Sequence, residues 1–72
     1  MNANICGRKV KLYRKKLGMA QIDLSEALNV EHGLAMAQSD ISEIERMVRG
    51  VKDFELKALA DVLQVAVAEL FE

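Results

Sequence analysis

Between Ala37 and Arg46 the chain reads AQSDISEIER, a run of mostly short hydrogen-bonding side chains around two isoleucines. On a helical wheel at ~100° per residue, Ala37, Ile41, Ile44 and Val48 fall within an arc of roughly 60°. Gln38, Ser42, Arg46, Ser39 and Glu43 fill an arc of roughly 140° opposite. The apolar arc must pack on a body, which leaves the polar arc facing outward. Glutamine and serine solvate a surface poorly beside lysine or glutamate, but they pair well with base edges in a major groove. Glutamine can hold adenine through two hydrogen bonds, and glutamate can accept one from the cytosine amino group. Taken alone, the arc fits an ordinary exposed helix as well as it fits a reading surface.

The remaining reactive side chains point away from catalysis. His32 is the one histidine. It has no cysteine nearby and no Ser/Asp arrangement, and it reads as a surface residue at a helix end. Cys6 falls on the apolar side of the first helix, as a small core residue rather than an activated thiolate. Met19, Met36 and Met47 read as core filler. The sequence holds no phosphate-cradling glycine loop, metal motif or Cys/His cluster. The expectation is therefore no enzyme, no metal, no cofactor and no evident small-molecule substrate.

These residues must be positioned by a small body. The chain has 72 residues, enough for one domain with a modest core. It is 51% hydrophobic and 29% charged, with no proline, which fits a globular chain rich in helix formers rather than a disordered one. One cysteine allows no internal disulfide, so stability must come from helix packing or self-association. The longest apolar runs, such as LAMA, fall far short of the ~20 residues a membrane span needs. With no signal peptide visible and a lone thiol, a cytoplasmic location is expected. The formal net charge is −1, unusual for a nucleic-acid binder. However, six of the ten basic residues lie between Arg8 and Lys16. That cluster is either a local positive patch or a solvated helix face.

The spacing predicts a loose end over 1–4, with Asn4 as a cap, and a single domain over 5–72. A first helix runs from about Ile5 to Leu17, with Cys6, Val10, Tyr13 and Leu17 on one face and Gly18 as terminator. A second helix covers about 21–32, with Ile22, Leu24, Ala27 and Leu28 apolar and Gly33 ending it. The helix of interest covers about 37–48. A fourth helix from Phe54 to Leu63 takes Asp53 as its cap and offers Phe54, Leu56, Leu59, Ala60 and Leu63 to the core. A short fifth helix spans about Val67 to Phe71. The fold class is all-α with five helices.

Gln21, Leu24, Ser25 and Leu28, followed by Ile41, Ser42, Ile44 and Glu45, resemble the helix-turn-helix of the XRE family, the Cro and lambda-repressor type. The resemblance covers nearly the whole chain. It continues through Val10, Tyr13, Arg14 and Gly18 before the motif, then Asp53 to Ala60, and Val65, Val67, Glu69, Leu70 and Phe71 after it. It implies a five-helix lambda-repressor-like domain whose third helix reads double-stranded DNA. By position it implies that Gln21 contacts a phosphate and that Gln38, Ser39, Ser42 and Glu43 are exposed on the recognition helix. Arg46 on the same arc completes the expected DNA-contact set. Arg14 and Glu45 match a pair that joins the first helix to the third as an ion pair.

The chain departs from the family pattern in four places. The family's connection between its second and third helices is about four residues, whereas VEHGLAMA is longer and resembles a subclass with a lengthened connection. Ala20 and Ala37 stand where a hydroxyl usually caps a helix. Gln38 and Glu43 occupy positions that are often basic. Met47 stands where a glycine usually follows the third helix.

Two functions remain open at this level. One is a sequence-specific DNA-binding transcriptional regulator, a repressor, acting as a homodimer on an operator. The other is a protein-interaction module, such as an antitoxin or anti-repressor, that keeps the helix-turn-helix shape with weak or no DNA binding. The slight acidity, Asp40 and Glu43 favour the second. The apolar supply at Met47, Val48, Val65, Val67, Leu70 and Phe71 suggests a dimer formed through the C-terminal half, or the closing of one core.

Overall fold

The computed structural model describes residues 6–71; the loose end expected over 1–4, the Asn4 cap and Ile5 lie outside the described residues. Four α-helices follow one another: α1 Gly7–Lys16, α2 Gln21–His32, α3 Gln38–Glu45 and α4 Asp53–Leu63. Among the described residues there is no strand. The expected five-helix count is corrected, because Val67–Leu70 is a single 3-10 turn. Its backbone is extended at Ala66 and again at Phe71. Four residues between two such breaks cannot propagate an α-helix, and the tighter i→i+3 turn satisfies them instead.

The helices enclose one core. Val10, Leu24, Leu28, Ile41, Ile44, Leu59, Leu63 and Leu70 are all fully buried or nearly so, so every helix and the final turn contribute to it. Cys6 and Met36 are buried with them, while Met19 and Tyr13 pack at the margin. In α1 the buried line runs Cys6, Val10, Arg14. Leu17, expected on that line, is the C-cap and is 41% exposed. There the chain turns away through Gly18, at φ +70°, a conformation that suits glycine. Ile22 is likewise exposed rather than in the core.

In α4 the buried line is Glu55, Ala58, Leu59, Val62 and Leu63. Phe54, expected inside, is 55% exposed, with the Lys52 ammonium 5.9 Å from its ring centroid. One cap expectation shifts with that register. Lys52 is the N-cap and Asp53 the first helical residue. Neither Ala20, Ala37 nor Lys52 carries a side-chain acceptor for its helix, so only the return half of each capping box can form. Ala20 N–H donates to Asp23 at 2.8 Å, Ala37 N–H to Asp40 at 2.8 Å, and Lys52 N–H to Glu55 at 3.0 Å.

α3 ends at Glu45, short of the expected 48, because Met47 takes the left-handed conformation at φ +61°. The turn that glycine usually makes is therefore made here by methionine. Val48 consequently leaves the apolar arc and is 65% exposed. Gln64, the exposed cap of α4, holds φ +63° in the same way. An L-residue in this region costs about 1–2 kcal/mol, part of which glycine gives back through its freer unfolded chain. Gln64→Gly is expected to raise the unfolding free energy by about 0.5–1 kcal/mol, read by urea denaturation. A loss of stability would contradict the left-handed assignment.

Candidate nucleic-acid interface

The site is assembled around a buried ion pair. Arg14 arrives from α1 and Glu45 from the last position of α3. Arg14 Nε donates to Glu45 Oε2 at 2.6 Å, and Nη2 to Oε1 at 3.0 Å. The guanidinium also donates through Nη1 to the Met19 carbonyl at 2.6 Å. Only 8% of the Arg14 side chain and 3% of the Glu45 side chain are exposed. The hydrogen bond to Glu45 raises the Arg14 pKa against the opposing effect of burial, and the carboxylate's charge adds to the rise. The guanidinium is thus permanently charged and committed, which suits a fixed joint between α1 and α3.

Gln21 opens α2 beside this pair. Its Nε2 donates to Glu45 Oε1 at 3.1 Å, and its Oε1 accepts from Gln38 Nε2 at 3.4 Å. The carboxylate decides the orientation of the amide: only nitrogen can donate to it, so the oxygen must face Gln38. Arg14, Glu45, Gln21 and Gln38 therefore form one continuous polar chain from the core to the exposed first turn of α3. Each Nε2 keeps a second hydrogen, and the Gln38 Oε1 remains an acceptor.

The other sequence candidates lie along the outer side of α3. Ser39 is exposed in the first turn. Ser42 is half-buried and accepts from exposed Arg46 Nε at 3.2 Å, one turn on. Glu43 is half-buried, and its charge is one of those that raise the Arg49 pKa. The geometry thus joins Gln21 to Gln38 and Ser42 to Arg46, while Glu43 stands toward the following loop.

Three arrangements escaped the sequence reading. In the first, Asn29 clamps the connection between α2 and α3: its Nδ2 donates to the Met36 carbonyl at 2.8 Å, and its Oδ1 accepts the Met36 N–H at 2.7 Å. A side chain here replaces a strand partner, and an asparagine near a helix end is the only sequence sign of it. α2 runs through Val30, Glu31 and His32 and leaves residues 33–37 as the connection.

The second involves Arg49, whose Nη1 and Nη2 donate to Glu55 at 3.1 and 2.8 Å, while its Nε lies 3.8 Å from Asp40 Oδ1. The hydrogen bond to Arg49 holds the buried Glu55 carboxyl below its usual range, against the effect of burial, and the Lys52 N–H helps. In the third, His32 Nε2 lies 2.8 Å from Asp61 Oδ2, and Glu31 brings a third potential ligand atom within 4.8 Å of both. All three are exposed, and exposed groups of this kind are common without an ion. Asp61 is too far from His32 in sequence for spacing to have revealed the contact.

Among the described residues no helix is long and apolar enough to cross a membrane. No curated protein and no solved structure matched the chain. A family model described as helix-turn-helix, of the XRE type, matches residues 10–70. That span includes Arg14, Gln21, Gln38 and Glu45 and all four helices apart from the first residues of α1. By that match over most of its length, the chain belongs to the XRE-type helix-turn-helix family.

Proposed function

We propose that the chain is a sequence-specific regulator of transcription that binds double-stranded DNA as a homodimer and represses by occupying its operator. The observation that carries this is the polar chain from Arg14 through Glu45 and Gln21 to Gln38. It presents a glutamine amide guided by Gln21 at the exposed start of α3, backed by a buried charge pair. In this reading the helices pack in the lambda-repressor manner, with the lengthened connection tolerated through the Asn29 clamp. DNA-binding regulators work where the DNA is, so the expected location is the cytoplasm.

α3 enters the major groove by its first turn. Gln38 then donates to adenine N7 and accepts from N6, with the orientation set by Gln21. The second Nε2 hydrogen of Gln21 is left for a backbone phosphate, and Arg46 supplies a charge for another. Phosphate contacts fix the register, and base contacts carry the sequence. Ser39 and Ser42 add short-range hydrogen bonds. Glu43 meets repulsion from phosphates unless a base donor faces it, and the cytosine amino group is that donor. Glu43→Gln is expected to relax a C·G preference in each half-site while raising affinity for random duplex. Selection of both proteins on a randomised duplex library measures this. An unchanged preference would remove Glu43 from the reading set.

The dimer rests on a narrower apolar supply than the sequence suggested. Leu70 is fully buried in the monomer, and Val65 and Val67 pack against its core. Val48, Phe54 and Phe71 remain as large exposed apolar side chains in the C-terminal half. Two copies would read half-sites one helical turn apart. Sedimentation at high micromolar concentration, with and without operator, is expected to show a dimer; a monomer in both would contradict it. The competing reading, a protein-binding module without DNA affinity, is favoured by Asp40 and Glu43 on α3 and by the net charge of −1.

A further inference from the structure

Arg49 lies in the loop between α3 and α4, and its surroundings commit it to protein acceptors. Asp40 and Glu55 occupy equivalent places in two helices. Asp40 is the third residue of α3 and accepts the Ala37 N–H, and Glu55 is the third residue of α4 and accepts the Lys52 N–H. Each carboxylate is the return half of a capping box whose other half is missing. Arg49 lies between them, forked on Glu55 at 2.8 and 3.1 Å, and 3.8 Å from Asp40. Its Nη1 also donates to the Gly50 carbonyl at 2.9 Å, which fastens the loop itself.

We infer that Arg49 is a positioning residue, joining the capping carboxylates of α3 and α4 and thereby setting the angle of the reading helix, rather than a DNA contact. The inference rests on the DNA-binding reading above. The guanidinium is spent on protein acceptors: Glu55 is buried, and taking Arg49 away would strand its charge. Glu43 adds a third carboxylate toward the same cation. A phosphate would have to compete with all three. Planarity matters too, since only a fork can meet two oxygens of Glu55 while its Nε faces Asp40; a lysine ammonium cannot.

The two roles predict different salt slopes for Arg49→Gln and opposite signs for Glu55→Gln. If Arg49 positions, Arg49→Gln and Arg49→Lys both lower specific affinity about tenfold, the scale of one misaligned base contact. The slope of log affinity against log salt stays unchanged, because no phosphate contact is lost. Glu55→Gln lowers affinity as well, since it weakens the same joint. If Arg49 instead grips a phosphate, Arg49→Gln reduces the salt slope by about one, Arg49→Lys retains most affinity, and Glu55→Gln raises affinity by releasing the cation and removing a like charge.

The measurement is anisotropy on a selected operator over a salt series for the full chain and these three variants. It is paired with amide hydrogen exchange on the free proteins. Arg49→Gln is expected to lose protection at Ala37 and Lys52, the two amides held by the joined carboxylates. Unchanged protection there overturns the clamp, and a reduced salt slope or a gain of affinity in Glu55→Gln overturns the positioning role. A wild-type chain that binds no duplex overturns the DNA reading, and positioning with it. The exchange result then reports separately on the joint between α3 and α4.

Discussion

Arg14→Met is expected to lower the unfolding free energy by about 3 kcal/mol. A domain of this length has roughly 4–11 kcal/mol in total, so the loss is a large part of its stability. The Glu45 carboxylate, 3% exposed, would remain charged in a place that water hardly reaches. Among the described residues the Gln21 amide, at 3.1 Å, is its one other side-chain partner, and a neutral donor does not replace a bidentate guanidinium. The figure is at the lower end of the range for buried pairs because the guanidinium edge retains some contact with solvent. Replacing both partners by apolar residues of similar volume removes the stranded charge. Arg14→Met with Glu45→Leu is therefore expected to lie within about 1 kcal/mol of the wild type. Urea unfolding of the single and double variants measures both. Equal loss in the two would place the cost in packing rather than in charge. The double variant should fold and still bind its operator poorly, since Gln21 loses the carboxylate that orients it.

Gln38→Ala is expected to cost about 1–3 kcal/mol of discrimination, measured as the affinity ratio between a selected operator and random duplex. The bond from Gln38 Nε2 to Gln21 Oε1 is long, at 3.4 Å, so it guides the amide without holding it against a base. Truncation at Gln38 removes the base contact but leaves Gln21 on Glu45, and nonspecific affinity should change little. Equal weakening on both DNAs would move Gln38 from the bases to the backbone.

The sequence revealed the frame better than the joints. Helical spacing found the core lines through Val10, Leu24, Leu28, Ile41, Ile44, Leu59 and Leu63, because each repeats at the helical period. It misjudged Leu17 and Phe54, apolar residues in or near terminal turns where the helix faces solvent on more than one side. It counted a fifth helix where four residues between extended neighbours form one turn. It extended α3 to 48 because periodicity says nothing of a methionine at positive φ. Of the candidate site, the outward arc of α3 was readable from the wheel, and the Arg14 and Glu45 positions came from the family resemblance. The links that give the arc direction were not readable: Gln21 to Glu45, Asn29 to Met36, and Arg49 to Asp40 and Glu55. Each depends on side chains meeting across turns whose path the sequence does not spell out.

Whether this helix-turn-helix binds DNA or protein decides its function. Fluorescence anisotropy of labelled mixed-sequence duplex, titrated with the chain over a salt series, tests it most directly. A DNA binder releases condensed counterions, so log affinity falls linearly with log salt at about −0.9 per phosphate neutralised. Six phosphate contacts across a dimer would lower affinity on the order of 10³ between about 50 and 200 mM salt. A steep linear fall of this kind is the predicted result. No binding at low salt, or binding indifferent to salt, would contradict the account and leave the protein-binding module as the reading of α3.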